Sequence, residues 1–383
     1  MRIIYILKSF AQLAGTERVV ADKINYLAKK GYDITLITYE QGVHPLAYPL
    51  HPTVKHIDLD TRFFTLYKYS LFTRLIHYFK LKRVFRRKLQ KIVNEQEPDY
   101  IITTTYSLKV ANEILSVKRN AKTIMESHIN HDSLIRHCDF KKNSINRFIF
   151  KIYDNQNLRT LQKYDSFIAL TRSDAFQWGK SGIKVKVIPN PVTEYPDTID
   201  TNKTCNYRII AVGRLNHQKG FEKLINAFSL ISQKHPKWRI DIFGQGELEG
   251  ELNNQIINNN LQDRIIIHQP TKDIYKEYLH SDLYVLSSNF EGFGLVLIEA
   301  MACGLPVVSF DCPYGPGELI INEKNGLLVE NGNVTDLANK IEWMINHESE
   351  RKEMSNEARR TLLKYKIDII MSQWEELFNS LIS

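Results

Sequence analysis

Apolar residues fall along this chain in two rhythms. Short, nearly continuous runs read as buried strands: IIYIL (3–7), YDITLITYE (32–40), DYIITTT (99–105), AKTIMESH (121–128), SFIALT (166–171) and VKVIPNPV (185–192). Between the first two, GTERVVADKINYLAKKG (15–31) places apolar residues three or four apart and ends on Gly31, a favourable residue just past a helix end. Strand, helix, strand at this spacing predicts a βαβ opening and a parallel sheet.

Residues 194–206, EYPDTIDTNKTCN, are polar, contain a proline and show no periodicity, so they read as a linker. The pattern then restarts. YRIIAVGRL (207–215), WRIDIFGQG (238–246), RIIIHQP (264–270), DLYVLSS (282–288), PVVSF (306–310) and GLLVE (326–330) read as strands. FEKLINAFSLISQKH (221–235), ELEGELNNQIINN (247–259) and DLANKIEWMINH (336–347) read as helices between or after them. The fold class expected is α/β, with two successive Rossmann-like sheets, in domains 1–194 and 195–365. The tail has Ile370, Trp374, Leu377 and Leu381 at helical spacing, and helix 366–383 is expected to pack back on the first domain.

At 383 residues the chain is long enough for two or three domains with sizeable cores. The first apolar run is shorter than a signal-peptide core, and no run approaches a membrane span. The four cysteines, Cys138, Cys205, Cys303 and Cys312, form no CxxC pair and fit no zinc spacing, so they read as reduced thiols in the cytoplasm. The net charge of +8 is concentrated. Between Asp60 and Glu95 there is no acidic residue, ten Lys/Arg and eight aromatics, and the rest of the chain is close to neutral.

Ligands of open α/β sheets bind beyond the carboxyl ends of the strands, so the residues that follow each strand carry the candidate chemistry. Gly15 precedes the first helix, where free N–H groups favour an anion, although an ordinary tight turn explains it equally well. Arg214 and Lys219 follow the strand at 207–215 and could clamp a diphosphate, the alternative being solvated surface charge. Gly244, Gly246 and Gly250 invite a dinucleotide reading, but that fingerprint needs an acidic residue at the end of the next strand. Asp263 precedes that strand instead, and His268, Gln269 and Pro270 end it.

The densest stretch is NFEGFGLVLIEAMACGLPVVS (289–309). Glu291 sits in a glycine-bracketed loop and Glu299 about two turns into a helix otherwise apolar on every face. A buried, unpaired carboxylate costs several kcal/mol, so Glu299 needs a cation or a ligand's hydroxyls. Phe293, Gly294 and Leu295 offer free N–H groups at the helix start, a second anion site. The structural alternative is a salt bridge for Glu299 and a surface loop for Glu291.

Glu291 to Glu299, followed by AMACGLPVV, resembles the EX7E motif of retaining nucleotide-sugar glycosyltransferases of family 4, with the GT-B fold. Gly213, Arg214, Leu215, Lys219 and Gly220 resemble the family's diphosphate-binding segment, IPNPV (188–192) the end of its N-terminal domain, and GTERV its first glycine-rich loop. The resemblance implies two Rossmann-like domains facing each other across a cleft, closing over the donor. It implies that Glu299 bonds the ribose hydroxyls, that Arg214, Lys219 and the amides of Gly294 and Leu295 hold the diphosphate, and that Glu291 meets the donor sugar. Phe293, Gly244 and Asn190 join the substrate-binding set, and Gly15 lets the other domain's loop approach the phosphates. His128, at the end of AKTIMESH, resembles a family histidine that reaches the transferred sugar or the phosphate; Glu126 beside it is left undecided. CPYGPGE (312–318) is similar to a subgroup that builds bacterial surface polysaccharides, often from galactose- or N-acetylgalactosamine-type donors.

Departure of a sugar from a nucleotide diphosphate develops charge that groups already in place should stabilise. No cofactor and no metal is expected, since the basic clamp could replace a divalent ion and no DxD-like motif stands out. The resemblance implies retention by front-face attack, with a UDP-sugar as donor. The basic and aromatic stretch 62–91 carries Leu71, Leu75, Tyr78, Phe85, Leu89 and Ile92 at helical spacing. It reads as a core-packed helix with a solvated basic face or as a surface for anionic lipid. No RNA- or DNA-binding motif accompanies the charge, and nucleic acid is not expected as a partner. The partners expected are a nucleotide-sugar and a glycan acceptor, lipid-linked at the inner face of the cytoplasmic membrane. A small soluble acceptor, or a non-catalytic nucleotide-sugar or glycan-binding protein, are the alternatives.

Overall fold

The computed structural model describes residues 1–135, 155–197, 199 and 205–382. Cys138 and part of the 194–206 linker lie outside the described residues. The chain divides into two compact units, Met1–Pro189 with Ile367–Ser383, and Asn190–Lys366.

The first unit holds seven strands: β1 (Arg2–Leu7), β2 (Asp33–Thr38), β3 (Lys55–Asp58), β4 (Tyr100–Thr104), β5 (Lys122–Glu126), β6 (Ser166–Ala169) and β7 (Val185–Val187). They lie in the order β3-β2-β1-β4-β5-β6-β7, and every pairing is parallel. The central strands are buried along most of their length, as continuous Ile, Leu, Val and Tyr runs require when helices cover both faces of a sheet. Strand β3, KHID, is only half-buried and carries too little apolar signal to be read from sequence.

Helix Ile367–Ile382 belongs to this first unit, although it follows the second in the chain. Its buried stripe of Ile370, Met371, Trp374, Leu377 and Phe378 packs beside helix Gly15–Lys29. The Tyr100 hydroxyl donates to the Phe378 carbonyl at 2.5 Å, with the two rings 4.7 Å apart.

The second unit repeats the plan with six strands: β8 (Arg208–Val212), β9 (Arg239–Phe243), β10 (Ile265–His268), β11 (Leu283–Leu286), β12 (Val307–Phe310) and β13 (Leu327–Val329). Their order is β10-β9-β8-β11-β12-β13, again all parallel. Helices Phe221–Ile231 and Val334–Asn346 supply much of its core through Phe221, Leu224, Ile225, Phe228, Leu337 and Ile341.

In each sheet the strand order reverses beside the first strand, between β1 and β4 and between β8 and β11. Connections leave such a point in opposite directions, which opens a crevice at the carboxyl ends of the two strands. Gly15 follows β1, and Arg214, Lys219 and Glu291 lie in the loops that follow β8 and β11.

Candidate functional site

In the second unit, β8 runs out into Gly213 and Arg214, and β11 into Ser287–Glu291. The two loops are stitched together. Asn289 N–H donates to the Gln218 carbonyl at 2.8 Å, Gln218 Nε2 donates to the Phe290 carbonyl at 3.2 Å, and the Ser287 hydroxyl donates to the Lys219 carbonyl at 3.0 Å. Gly220 makes this approach possible. Its φ is +60°, and a Cβ there would lie 2.3 Å from the Ser287 carbonyl oxygen.

Gly244 has a related task. A Cβ on it would stand 1.9 Å from the Gly213 carbonyl oxygen. Gly213 N–H bonds the Phe243 carbonyl at 3.0 Å, and Leu215 N–H bonds the Gln245 carbonyl at 2.9 Å. The glycines after β9 therefore form a bed for the Gly213–Leu215 turn, which gives the GxG pattern a packing role without a dinucleotide.

Lys219 and Glu291 meet across the crevice. Lys219 Nζ lies 2.7 Å from Glu291 Oε1, with both side chains mostly buried. The Ser288 hydroxyl donates to the same oxygen at 2.6 Å. Glu291 is 5% exposed and ion-paired, so it is not the surface-loop residue of the structural alternative. Arg214 differs from Lys219. It is exposed, and its guanidinium has no ion pair or hydrogen bond among the described residues.

Glu299 is 3% exposed in helix Leu295–Ala302, whose residues from Leu297 onward are buried. The Tyr278 hydroxyl donates to Glu299 Oε2 at 3.4 Å. Tyr278 and Tyr284 stand edge to face with their rings 6.0 Å apart. Burial pushes the Tyr284 hydroxyl well above its ordinary pKa, and the charges of Glu291 and Glu299 push it further. Both carboxylates thus act on one buried ring. Cys312 feels the same field: burial and then Glu291 raise its thiol, and Lys219 partly offsets them.

Gly294 caps helix Leu295–Ala302, and Leu295 is its first residue. The amides of an opening helical turn have no partner within the helix and carry the positive end of its dipole. Phe293 is buried with its ring 6.0 Å from that of Tyr365. The 312–318 segment holds this loop from outside, with Glu291 N–H donating to the Pro313 carbonyl at 3.2 Å. Asn190 is buried at the start of the unit, and no hydrogen bond among the described residues joins it to this group.

The first unit carries the other two candidates. Gly15 opens helix Gly15–Lys29 beyond β1. His128 lies two residues beyond the end of β5, its backbone N–H donating to Thr105 Oγ1 at 3.3 Å. Its Nε2 stands 3.1 Å from Glu126 Oε2, and Lys23 Nζ binds the same carboxylate oxygen. All three side chains are 3% exposed or less. Burial alone would raise the Glu126 pKa; the charge of Lys23 and the hydrogen bond from His128 overcome this and hold it at about 2. Lys23 has no place in the sequence reading, yet its ammonium also lies 4.4 Å from the centre of the Trp374 ring. The signal was a lysine inside the apolar stripe Val19, Val20, Ile24, Leu27.

Among the described residues no group of three or more His, Cys, Asp or Glu side chains is placed to hold a metal ion. No helix among them is long and apolar enough to cross a membrane.

Comparison with known proteins matches residues 13–194 to the family described as Glycosyltransferase Family 4 and residues 199–361 to Glycosyl transferases group 1. The chain is 28% identical to an uncharacterized glycosyltransferase of Haemophilus influenzae, over 98% of this chain and 99% of the relative. It is 24% identical to a Campylobacter jejuni enzyme that the match names GalNAc-alpha-(1->4)-GalNAc-alpha-(1->3)-diNAcBac-PP-undecaprenol alpha-1,4-N-acetyl-D-galactosaminyltransferase, over 98% of each. Three further relatives at 30–34% identity are covered over only about a quarter to a third of their own length. Among solved structures, the fold matches S. aureus TarM in complex with Fondaparinux, alpha-GlcNAc-glycerol and UDP, with a TM-score of 0.79 over 99% of both chains at 16% identity.

Proposed function

The chain belongs to the GT-B glycosyltransferases of family 4 type, and we propose that it moves a sugar from a UDP-sugar to a growing glycan with retention of anomeric configuration. The observation that carries the site assignment is the crevice between β8 and β11. There Glu291 is bound by Lys219, while Arg214, in the loop after β8, stands exposed with no side-chain partner among the described residues. In this reading Arg214, Lys219 and the amides of Gly294 and Leu295 receive the diphosphate. Glu299 accepts hydrogen bonds from the ribose hydroxyls and Glu291 from the donor sugar. Gly244 holds the Gly213 turn in place, Phe293 and Asn190 border the donor, and Gly15 and His128 belong to the acceptor-side unit.

The chemistry follows from charge. When the bond between sugar and diphosphate breaks, negative charge grows on the departing phosphate and positive charge on the sugar. Cationic side chains and oriented amides already in position stabilise the first without reorganising. Glu291, fixed by Lys219 and Ser288, places a carboxylate beside the second. A phosphate oxygen on the same face takes the acceptor's proton, which gives retention and requires no base on the opposite face.

The acceptor proposed is a lipid-linked glycan of bacterial polysaccharide or glycan biosynthesis. The C. jejuni relative's undecaprenol-linked substrate supports this, and so does the surface of residues 62–91. In helix Leu71–Gln96 the later residues Phe85, Leu89, Ile92 and Val93 pack into the core. Leu75, expected on the same stripe, is 54% exposed instead. With Phe64, Tyr67, Phe72, Ile76 and Phe79 it forms an exposed apolar surface beside Lys68, Lys80, Arg83, Arg86 and Arg87. Aromatic and aliphatic side chains next to Lys and Arg suit an anionic membrane surface, which supports the proposal that the enzyme works at the cytoplasmic face of the membrane.

The test is transfer by the purified protein from a panel of UDP-sugars to a prenyl-diphosphate-linked glycan, with the anomeric configuration of the product read by NMR. The expected result is a glycosylated lipid of retained configuration, reduced at least a hundredfold in Glu291→Gln. An inverted product would remove the front-face mechanism. Turnover in Glu291→Gln equal to wild type would remove Glu291 from the reaction.

A further inference from the structure

Glu126 is buried at the end of β5 with two donors on one oxygen, Lys23 Nζ and His128 Nε2. A neutral imidazole donates from one nitrogen and accepts at the other, and the hydrogen bond at one fixes the role of the other. We propose that Glu126 is a positioning residue that locks His128 with its proton on Nε2, leaving Nδ1 as an acceptor for a hydroxyl of the sugar substrate, and that Lys23 supplies the buried counter-charge that lets this carboxylate stay ionised. The second half of the proposal, the sugar hydroxyl, rests on the functional reading above; the first half does not.

Three features carry it. Glu126 is the last residue of β5 and His128 follows two residues later, where its Nε2 comes to 3.1 Å from the Glu126 carboxylate. The backbone that carries the ring is held as well, since the main-chain N–H of His128 donates to Thr105 Oγ1 beyond the adjacent β4. Lys23 is 1% exposed and comes from a different element, the helix that follows β1, and Trp374 of the C-terminal helix covers its ammonium. A lysine whose only task was packing would not place its charge on the oxygen that the histidine uses. A histidine presenting Nδ1 as an acceptor is suited to a sugar hydroxyl and unsuited to a phosphate oxygen, which offers no proton.

The experiment reads the tautomer directly, from two-dimensional ¹⁵N–¹H spectra of the full chain carrying ¹⁵N-labelled histidine, with His128 assigned by the signal missing in His128→Gln. The result expected is a proton on Nε2 and a bare Nδ1 in the wild type. A proton on Nδ1 alone would overturn the proposal whether or not the enzyme turns over any sugar. Glu126→Gln alone leaves Lys23 buried without a counter-charge, so the variant to use is Lys23→Met with Glu126→Leu, which replaces the pair by apolar side chains of similar size. In that variant His128 is expected to sample both tautomers. The transfer kcat is expected to fall by about tenfold to a hundredfold, taking as the scale the loss seen when a metal-bound histidine loses its orienting partner, with the donor KM nearly unchanged. A folded double variant with wild-type kcat and tautomer would show the triad to be structural only.

Discussion

Removing the ammonium of Lys219 leaves the Glu291 carboxylate, 5% exposed, without its cation. The Ser288 hydroxyl at 2.6 Å remains on the same oxygen. Breaking a buried pair from one side costs about 3–5 kcal/mol, because the remaining charge is uncompensated. The serine hydrogen bond and the residual solvent access place Lys219→Met near the lower end of that range, at about 3 kcal/mol. For a unit of this size, each kcal/mol corresponds to about 2–4 °C, so the melting temperature of the second unit should fall by roughly 6–12 °C. Adding Glu291→Gln removes the stranded charge, and the double variant should recover about half of the loss or more. Calorimetry of wild type, both single variants and the double variant gives the coupling energy. The nucleotide response separates stability from binding. Restored stability with a persistent loss of UDP binding is expected if Lys219 also serves the diphosphate. A Lys219→Met melting temperature within 1 °C of wild type would refute the reasoning, since no buried pair would then exist.

Other perturbations follow from the same geometry. Gly244→Ala puts a Cβ 1.9 Å from the Gly213 carbonyl oxygen and should displace the Gly213–Leu215 turn, at a cost of about 1–3 kcal/mol with weakened UDP binding. Gly250→Ala, in open space within helix Glu249–Asn258, should instead raise stability by up to about 1 kcal/mol; urea unfolding of the pair checks both. Glu126, held at about 2, is depressed relative to an unfolded chain, so its contribution is complete above about pH 4.5 and lost as pH falls toward 2. Melting curves between pH 5 and 3 should show a steeper decline for wild type than for Lys23→Met with Glu126→Leu, and equal slopes would contradict the assignment. Exchange of Lys80, Arg83, Arg86 and Arg87 for glutamate should abolish co-sedimentation with phosphatidylglycerol vesicles while leaving UDP binding intact, and unchanged sedimentation would remove the membrane surface.

The fold was legible because its central strands are continuous apolar runs and its first helix ends on a glycine, signals that tertiary packing reinforces. β3 was not, since KHID is half-buried at a sheet edge and needs little apolar content. The Glu291–Glu299 segment was legible as a candidate site because two carboxylates in an apolar, glycine-rich stretch call for partners that the segment itself does not hold. Its pairing was not, because Lys219 lies 72 residues away, in the other loop of the β8/β11 crevice, and only the strand order brings the two together. Lys23 lies still further from its partner, 103 residues before Glu126. Its one trace in the sequence was a charge on an apolar face. The stripe of helix Leu71–Gln96 was read from Leu71 to Ile92, and the core takes Phe85, Leu89 and Ile92 fully and Tyr78 in part, but leaves Leu75 exposed.

The central claim is that the crevice between β8 and β11 receives the diphosphate and ribose of a UDP-sugar. Calorimetric titration of UDP into wild type, Arg214→Ala and Glu299→Ala, with and without EDTA, tests it most directly. The account predicts binding by wild type that is insensitive to the chelator and weakened at least tenfold in each variant. Equal affinity for UDP in all three proteins would contradict it and place the nucleotide elsewhere.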